Sequence, residues 1–171
     1  DDVWDHYFSL LSRLEQEEMF NQNLFFAAKQ VVRILVEREW LTKEDVSLTW
    51  MKNEQQPWFS YDGILAVYAL SLMGATEYIP RLASLLEQQD DDVLLDQVVY
   101  ALSAFQNGEV IEAVRPYAFQ KETAFSAIHV LANIKSKQAV RVLREVVSEL
   151  RDDDMRAFCF EALCHQLDQE A

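Results

Sequence analysis

Turn-forming residues are almost missing from this chain: it has three glycines and three prolines in 171 residues, where average usage of roughly 12% would supply about twenty. Sheets and loop-rich folds need such residues at their reversals, so the shortage excludes a β-rich architecture and points to helices joined by short turns. Basic residues are also scarce, 15 against 29 acidic ones, for a formal net charge of −14. A duplex-binding protein neutralises phosphates with Lys and Arg, so no nucleic-acid partner is expected, and an anionic membrane should repel the chain as well. No apolar run approaches the ~18 residues of a membrane span. The chain opens Asp1-Asp2, without an initiator Met and without the basic and apolar regions of a secretory leader. Cysteine is limited to Cys159 and Cys164, in one predicted helix. Helical rise separates their Cα atoms by roughly 8–9 Å, beyond disulfide reach. Two unpaired thiols fit a reducing compartment, so the expected location is cytoplasmic.

What is present is apolar periodicity. The first sixty residues predict two long helices, from Asp2 to about Glu18 and from Asn23 to about Glu39. A shorter one runs from Lys43 to about Lys52 behind a Thr42…Asp45 capping box. The loop Asn53-Glu54-Gln55-Gln56-Pro57 follows. Beyond it the sequence repeats. Val67-Tyr68-Ala69-Leu70-Ser71-Leu72-Met73 returns as Val99-Tyr100-Ala101-Leu102-Ser103-Ala104-Phe105. It returns again as Ile128-His129-Val130-Leu131-Ala132-Asn133-Ile134, and more faintly as Phe160-Glu161-Ala162-Leu163-Cys164-His165-Gln166, at offsets of 32, 29 and 32 residues. A second apolar stripe follows each of the first three: Ile79, Leu82 and Leu86; Ile111, Val114 and Ala118; Val140, Leu143 and Val147. Breaks at Gly74-Ala75-Thr76, Gln106-Asn107-Gly108 and Lys135-Ser136 make each repeat helix, turn, helix. Asp90-Asp91-Asp92 and Arg151-Asp152-Asp153-Asp154 join one repeat to the next and supply helix N-caps.

A hairpin of about thirty residues cannot bury its apolar stripe alone, and stacking several makes a continuous core. From Ser60 to the C-terminus the chain resembles the HEAT-repeat family, particularly its short-repeat branch. The likeness rests on Ala69-Leu70, Ala101-Leu102, Ala162-Leu163 and the variant Val130-Leu131, with the turn glycines, the second-helix spacing and the Asp-rich joints. The resemblance implies an all-α fold: a right-handed α-α superhelix (an armadillo-like solenoid) over residues 60–171. Residues 1–59 are expected as a divergent helical cap packed on it, the whole forming one structural domain. Leu70, Leu102, Leu131 and Leu163 should be buried between hairpins. Helix Ile64–Met73 is apolar nearly all round, as burial on both sides requires.

Chemistry-bearing motifs are few. No His-Glu-x-x-His, Gly-x-Ser-x-Gly or Gly-rich phosphate loop occurs, so neither catalytic residues, a metal nor a cofactor is expected. Glu161, His165 and Asp168 share a helical face, either as part of a divalent-metal set or as an exposed polar stripe. Cys159 and Cys164 point apart and read as small core residues. The tryptophans Trp4, Trp40, Trp50 and Trp58 all precede the repeats and, with Phe8, Phe20, Phe25, Phe26 and Phe59, fill a core and an end cap or line a partner pocket. Tyr68, Tyr100, His129 and Glu161 align at one outward position of successive first helices.

Charge is uneven along the chain. Residues 61–110 carry net −7, whereas residues 111–151 carry net +3, with a basic band at Lys135, Lys137, Arg141, Arg144 and Arg151, and Arg141–Glu145 as an i,i+4 pair. The family resemblance implies that second helices line a concave surface and bind protein without catalysis. Their positions facing away from the core stripe are Glu77, Ser84 and Gln88; Glu109, Glu112 and Gln120; Arg141, Glu145 and Glu149. A surface so rich in glutamate calls for a basic peptide or a basic face of a folded protein. HEAT-like DNA glycosylases need basic, aromatic-lined concave faces, a pattern this chain lacks. The alternative is an enzyme or chromophore-lyase accessory of the HEAT-like class, which would need a Cys/His/Asp cluster in one pocket.

Overall fold

The structure, a computed structural model, describes residues 2–167 and contains ten α-helices and no strand among them. These are α1 (Asp2–Gln16), α2 (Gln22–Glu37), α3 (Lys43–Glu54), α4 (Tyr61–Leu72), α5 (Ile79–Ser84), α6 (Asp92–Phe105), α7 (Gly108–Ala118), α8 (Ala124–Asn133), α9 (Lys137–Glu149) and α10 (Asp153–Leu167). Short 3₁₀ turns at Thr76–Tyr78 and Leu85–Glu87 flank α5. No helix of the described residues is long and apolar enough to cross a membrane.

Two compact units divide between Ala75 and Thr76, so α4 lies with the preceding helices rather than with the repeats that follow it. In the first unit α4 packs against α1, α2 and α3. Its residues Gly63 to Leu70 are all buried, as an all-round apolar helix demands. The Thr42–Asp45 capping box forms as expected, with Thr42 N donating to Asp45 Oδ2 at 2.9 Å and Asp45 N to Thr42 Oγ1 at 3.3 Å. Helix α3 runs to Glu54, so Asn53 is the buried anchor of the following loop and not part of it. Its Oδ1 accepts from Ser60 N (2.8 Å) and Ser60 Oγ (3.0 Å), and its Nδ2 donates to Thr49 O (2.9 Å). Gly63 leaves room for this amide: a Cβ there would fall on the side chain of Asn53.

Tyr68 departs from the outward position expected of it. It is 1% exposed. Arg33 Nη2 donates to its hydroxyl at 3.2 Å and Lys29 Nζ lies 4.5 Å from its ring centroid. The alignment equated it with Tyr100, but α2 covers this side of α4 and brings two cations to it. Tyr100, His129 and Glu161 are exposed.

In the second unit α6, α8 and α10 pack in succession, as do α5, α7 and α9. Leu102 and Leu131 are fully buried, whereas Leu163 is only half-buried. Asp91 caps α6 through Leu94 N (2.9 Å) and Asp152 caps α10 through Met155 N (2.9 Å). Asn107 and Ser136 cap α7 and α9. The reversal after α4 uses Gly74 at φ +60°, but the one after α6 uses Gln106 at φ +50°, and Gly108 begins α7 instead. Long-range amides close the helix ends. Gln106 Nε2 donates to Asn133 O at 2.7 Å, and buried Gln166 donates to Leu131, Ala132 and Ile134 carbonyls at 2.8, 3.3 and 2.7 Å.

Candidate functional site

The second unit contains a groove of about 930 Å³ where the first turn of α7 faces the 3₁₀ turns around α5. Glu77 and Glu87 enter it from the two 3₁₀ turns, Glu109 and Glu112 from the start of α7, and Gln120 from just beyond the C-terminus of α7. Glu109 sits in a first helical turn, where the dipole favours negative charge. Ile79, Pro80, Ala113, Pro116 and Tyr117 provide an apolar lining, and among the described residues no Lys, Arg or His lines the groove. Gln138 Nε2 donates to Glu112 Oε1 at 2.6 Å and fixes that carboxylate. Burial, and then the charge of Glu87, push the Tyr117 hydroxyl above its ordinary pKa. A phenol is a hydrogen-bond donor at neutral pH even at its ordinary value.

Of the expected surface, Glu77, Glu109, Glu112 and Gln120 come together here. Arg141 and Glu145 line a different cleft, of about 940 Å³, beside Lys135, Lys137 and Arg144. Ser84, Gln88 and Glu149 are exposed but line neither. Glu145 pairs with Arg115 of α7 at 2.6 Å in place of the expected Arg141. The Arg115 charge is felt by Glu112 and Glu149 as well.

Glu87 and Tyr117 were not anticipated. A 3₁₀ turn advances about 120° per residue against 100° for an α-helix. Extending α-periodicity through Leu85–Glu87 therefore selects Gln88 in place of Glu87. A similar slip affects α9, whose buried residues are Ala139, Val142, Leu143 and Val146, while Val140 and Val147 are half-buried.

Glu161, Cys164 and His165 share a shallow hollow on α10 with Phe160. Asp168, expected on the same face, lies outside the described residues. Among those residues no group of three or more His, Cys, Asp or Glu is arranged to hold a metal ion. Cys159 is buried, with its thiol toward Leu143 O at 3.4 Å, but Cys164 is exposed, contrary to its reading as a core residue. Comparison with protein-family models, curated proteins and solved structures gave no match.

Proposed function

We propose that this chain is a non-catalytic binding module that holds a basic segment of a partner polypeptide in the groove between α5 and α7. The observation that carries this reading is the placement of four carboxylates, Glu77, Glu87, Glu109 and Glu112, along one apolar-lined groove. A concave surface of one charge sign concentrates ligands of the other and speeds their encounter. The apolar residues between the glutamates would seat an aliphatic or aromatic anchor, which supplies the affinity that screened charge alone does not. The successive packing of α6, α8 and α10, and of α5, α7 and α9, supports a HEAT-like, right-handed superhelical stacking of these hairpins as the scaffold.

The test is fluorescence anisotropy with a labelled Lys/Arg-rich peptide carrying one leucine, alongside an acidic peptide and duplex DNA as controls. Binding of the basic peptide alone is expected, weakening with salt because charges are screened over about 8 Å at physiological ionic strength. Reversing Glu109 and Glu112 to Lys changes the sign of half the carboxylates and should slow association far more than it alters folding. If the double reversal leaves affinity and salt slope unchanged, the groove is not the binding surface.

A further inference from the structure

The first unit holds a smaller pocket, of about 250 Å³, that the proposed function does not use. Trp4, Tyr7, Phe8 and Trp40 line it together with two carboxylates, Asp45 and Asp62, and among the described residues no Lys, Arg or His does. Helical spacing puts Trp4, Tyr7 and Phe8 on one face of α1. The Trp4 and Tyr7 rings meet edge to face at 5.9 Å and 86°, and Trp4 and Phe8 stack at 5.8 Å and 26°. Trp40 is 45% and Phe8 58% exposed and Trp4 is half-buried, so these rings are open to a ligand, whereas Tyr7 is buried. One of them already engages a cation, since the Arg38 guanidinium lies 4.9 Å from the Trp40 ring centroid.

We propose that this pocket binds a quaternary ammonium group carried by a small organic molecule or a trimethylated lysine side chain. Aromatic faces attract cations through their quadrupoles, and methylated ammonium ions are the ligands such rings recognise best. The apolar part of the lining favours methylation over a bare ammonium. Asp62 Oδ1 accepts the Tyr7 hydroxyl at 2.7 Å, and Asp45 accepts both the backbone N–H and the hydroxyl of Thr42 at 2.9 and 2.7 Å. Each carboxylate keeps one oxygen outside these bonds, but the remaining walls, Val32, Leu35, Leu41 and Val46, are apolar, and a primary ammonium would give up water there on donors that they cannot accept. A quaternary ammonium has no N–H to satisfy, so it gains ring and carboxylate attraction without that loss. The volume lies just below the ~300–1,000 Å³ of drug-sized sites and suits a headgroup.

The probes are choline, its neutral tert-butyl isostere, and a peptide bearing trimethyl-lysine or unmodified lysine, titrated against the whole chain by calorimetry and tryptophan fluorescence. Choline should bind about tenfold more tightly than the isostere, which matches its shape but lacks its charge. The trimethylated peptide should likewise outbind the unmodified one if a polypeptide is the source. Choline binding without peptide discrimination assigns the site to a small molecule. Trp40→Ala should weaken binding about tenfold, while Trp58→Phe, at a residue outside the pocket, should leave it intact. Equal binding of choline and the isostere, or no binding of any probe at millimolar concentration, overturns the proposal whether or not the variants fold.

Discussion

Replacing Gly63 by alanine should destabilise the first unit even though the same change in an ordinary helix stabilises it by about 1 kcal/mol. The added Cβ would lie against Cγ and Oδ1 of Asn53 and 2.6 Å from its Nδ2. Asn53 is 5% exposed and cannot swing aside without giving up its bonds to Ser60 N, Ser60 Oγ and Thr49 O. Overpacking of this kind costs about 1–3 kcal/mol, and orphaning buried polar groups costs about 1–3 kcal/mol more. Set against the propensity gain, the net loss should be about 1–5 kcal/mol. Urea unfolding followed by tryptophan fluorescence measures it cleanly, because Trp4, Trp40, Trp50 and Trp58 all belong to the first unit. The double variant Asn53→Ala/Gly63→Ala should cost clearly less than the sum of the singles, since the clash vanishes with the amide. A Gly63→Ala variant as stable as the parent, or strict additivity in the cycle, would refute the argument.

Other outcomes follow from burial and titration. Leu102→Ala should destabilise the second unit by about 2–5 kcal/mol, measured by circular dichroism during denaturation; a loss under about 1 kcal/mol would mean that the site collapses around the cavity. Native protein treated with iodoacetamide at mildly alkaline pH should be labelled at Cys164 and spared at Cys159, whose thiol burial pushes up to about 11; mass spectrometry identifies the site. The Thr42 hydroxyl and N–H hold the Asp45 carboxyl below its ordinary value, so its contribution to α3 is present above the unfolded carboxylate pKa and is lost as pH falls through the depressed folded one. Asp45→Asn should remove that acid dependence, and unchanged melting curves on acidification in both proteins would count against it.

The caps and the apolar helix α4 were legible because they depend on neighbours in sequence. Thr42 and Asp45 are three apart, Asp91 and Leu94 likewise, and both bonds form as the spacing requires. Glu109 and Glu112 of the groove could be named from periodicity because both lie in the regular first half of α7. The rest depends on contacts between distant segments. Nothing near Tyr68 in sequence announces that Lys29 and Arg33 reach it from α2, nor does anything near Tyr7 announce Asp62, 55 residues on. The aromatic pocket belongs to this class: its residue types stood out, but their convergence from α1, the α2–α3 connection, α3 and α4 comes only with the fold.

The amide closures in the second unit have a consequence for synthesis. Leu131, Ala132 and Ile134 emerge 32–35 residues before Gln166, the side chain that pairs with their carbonyls. During translation the last turn of α8 therefore waits with its carbonyls in water, free to fray, until α10 docks. Gln106, by contrast, is made 27 residues before Asn133 and stands ready to close that carbonyl as it emerges. The end of α8 is thus finished from both directions, by an earlier side chain and by a later helix. A premature stop between α9 and Gln166 removes more than the missing residues, because it also unfastens the end of a helix that was synthesised in full.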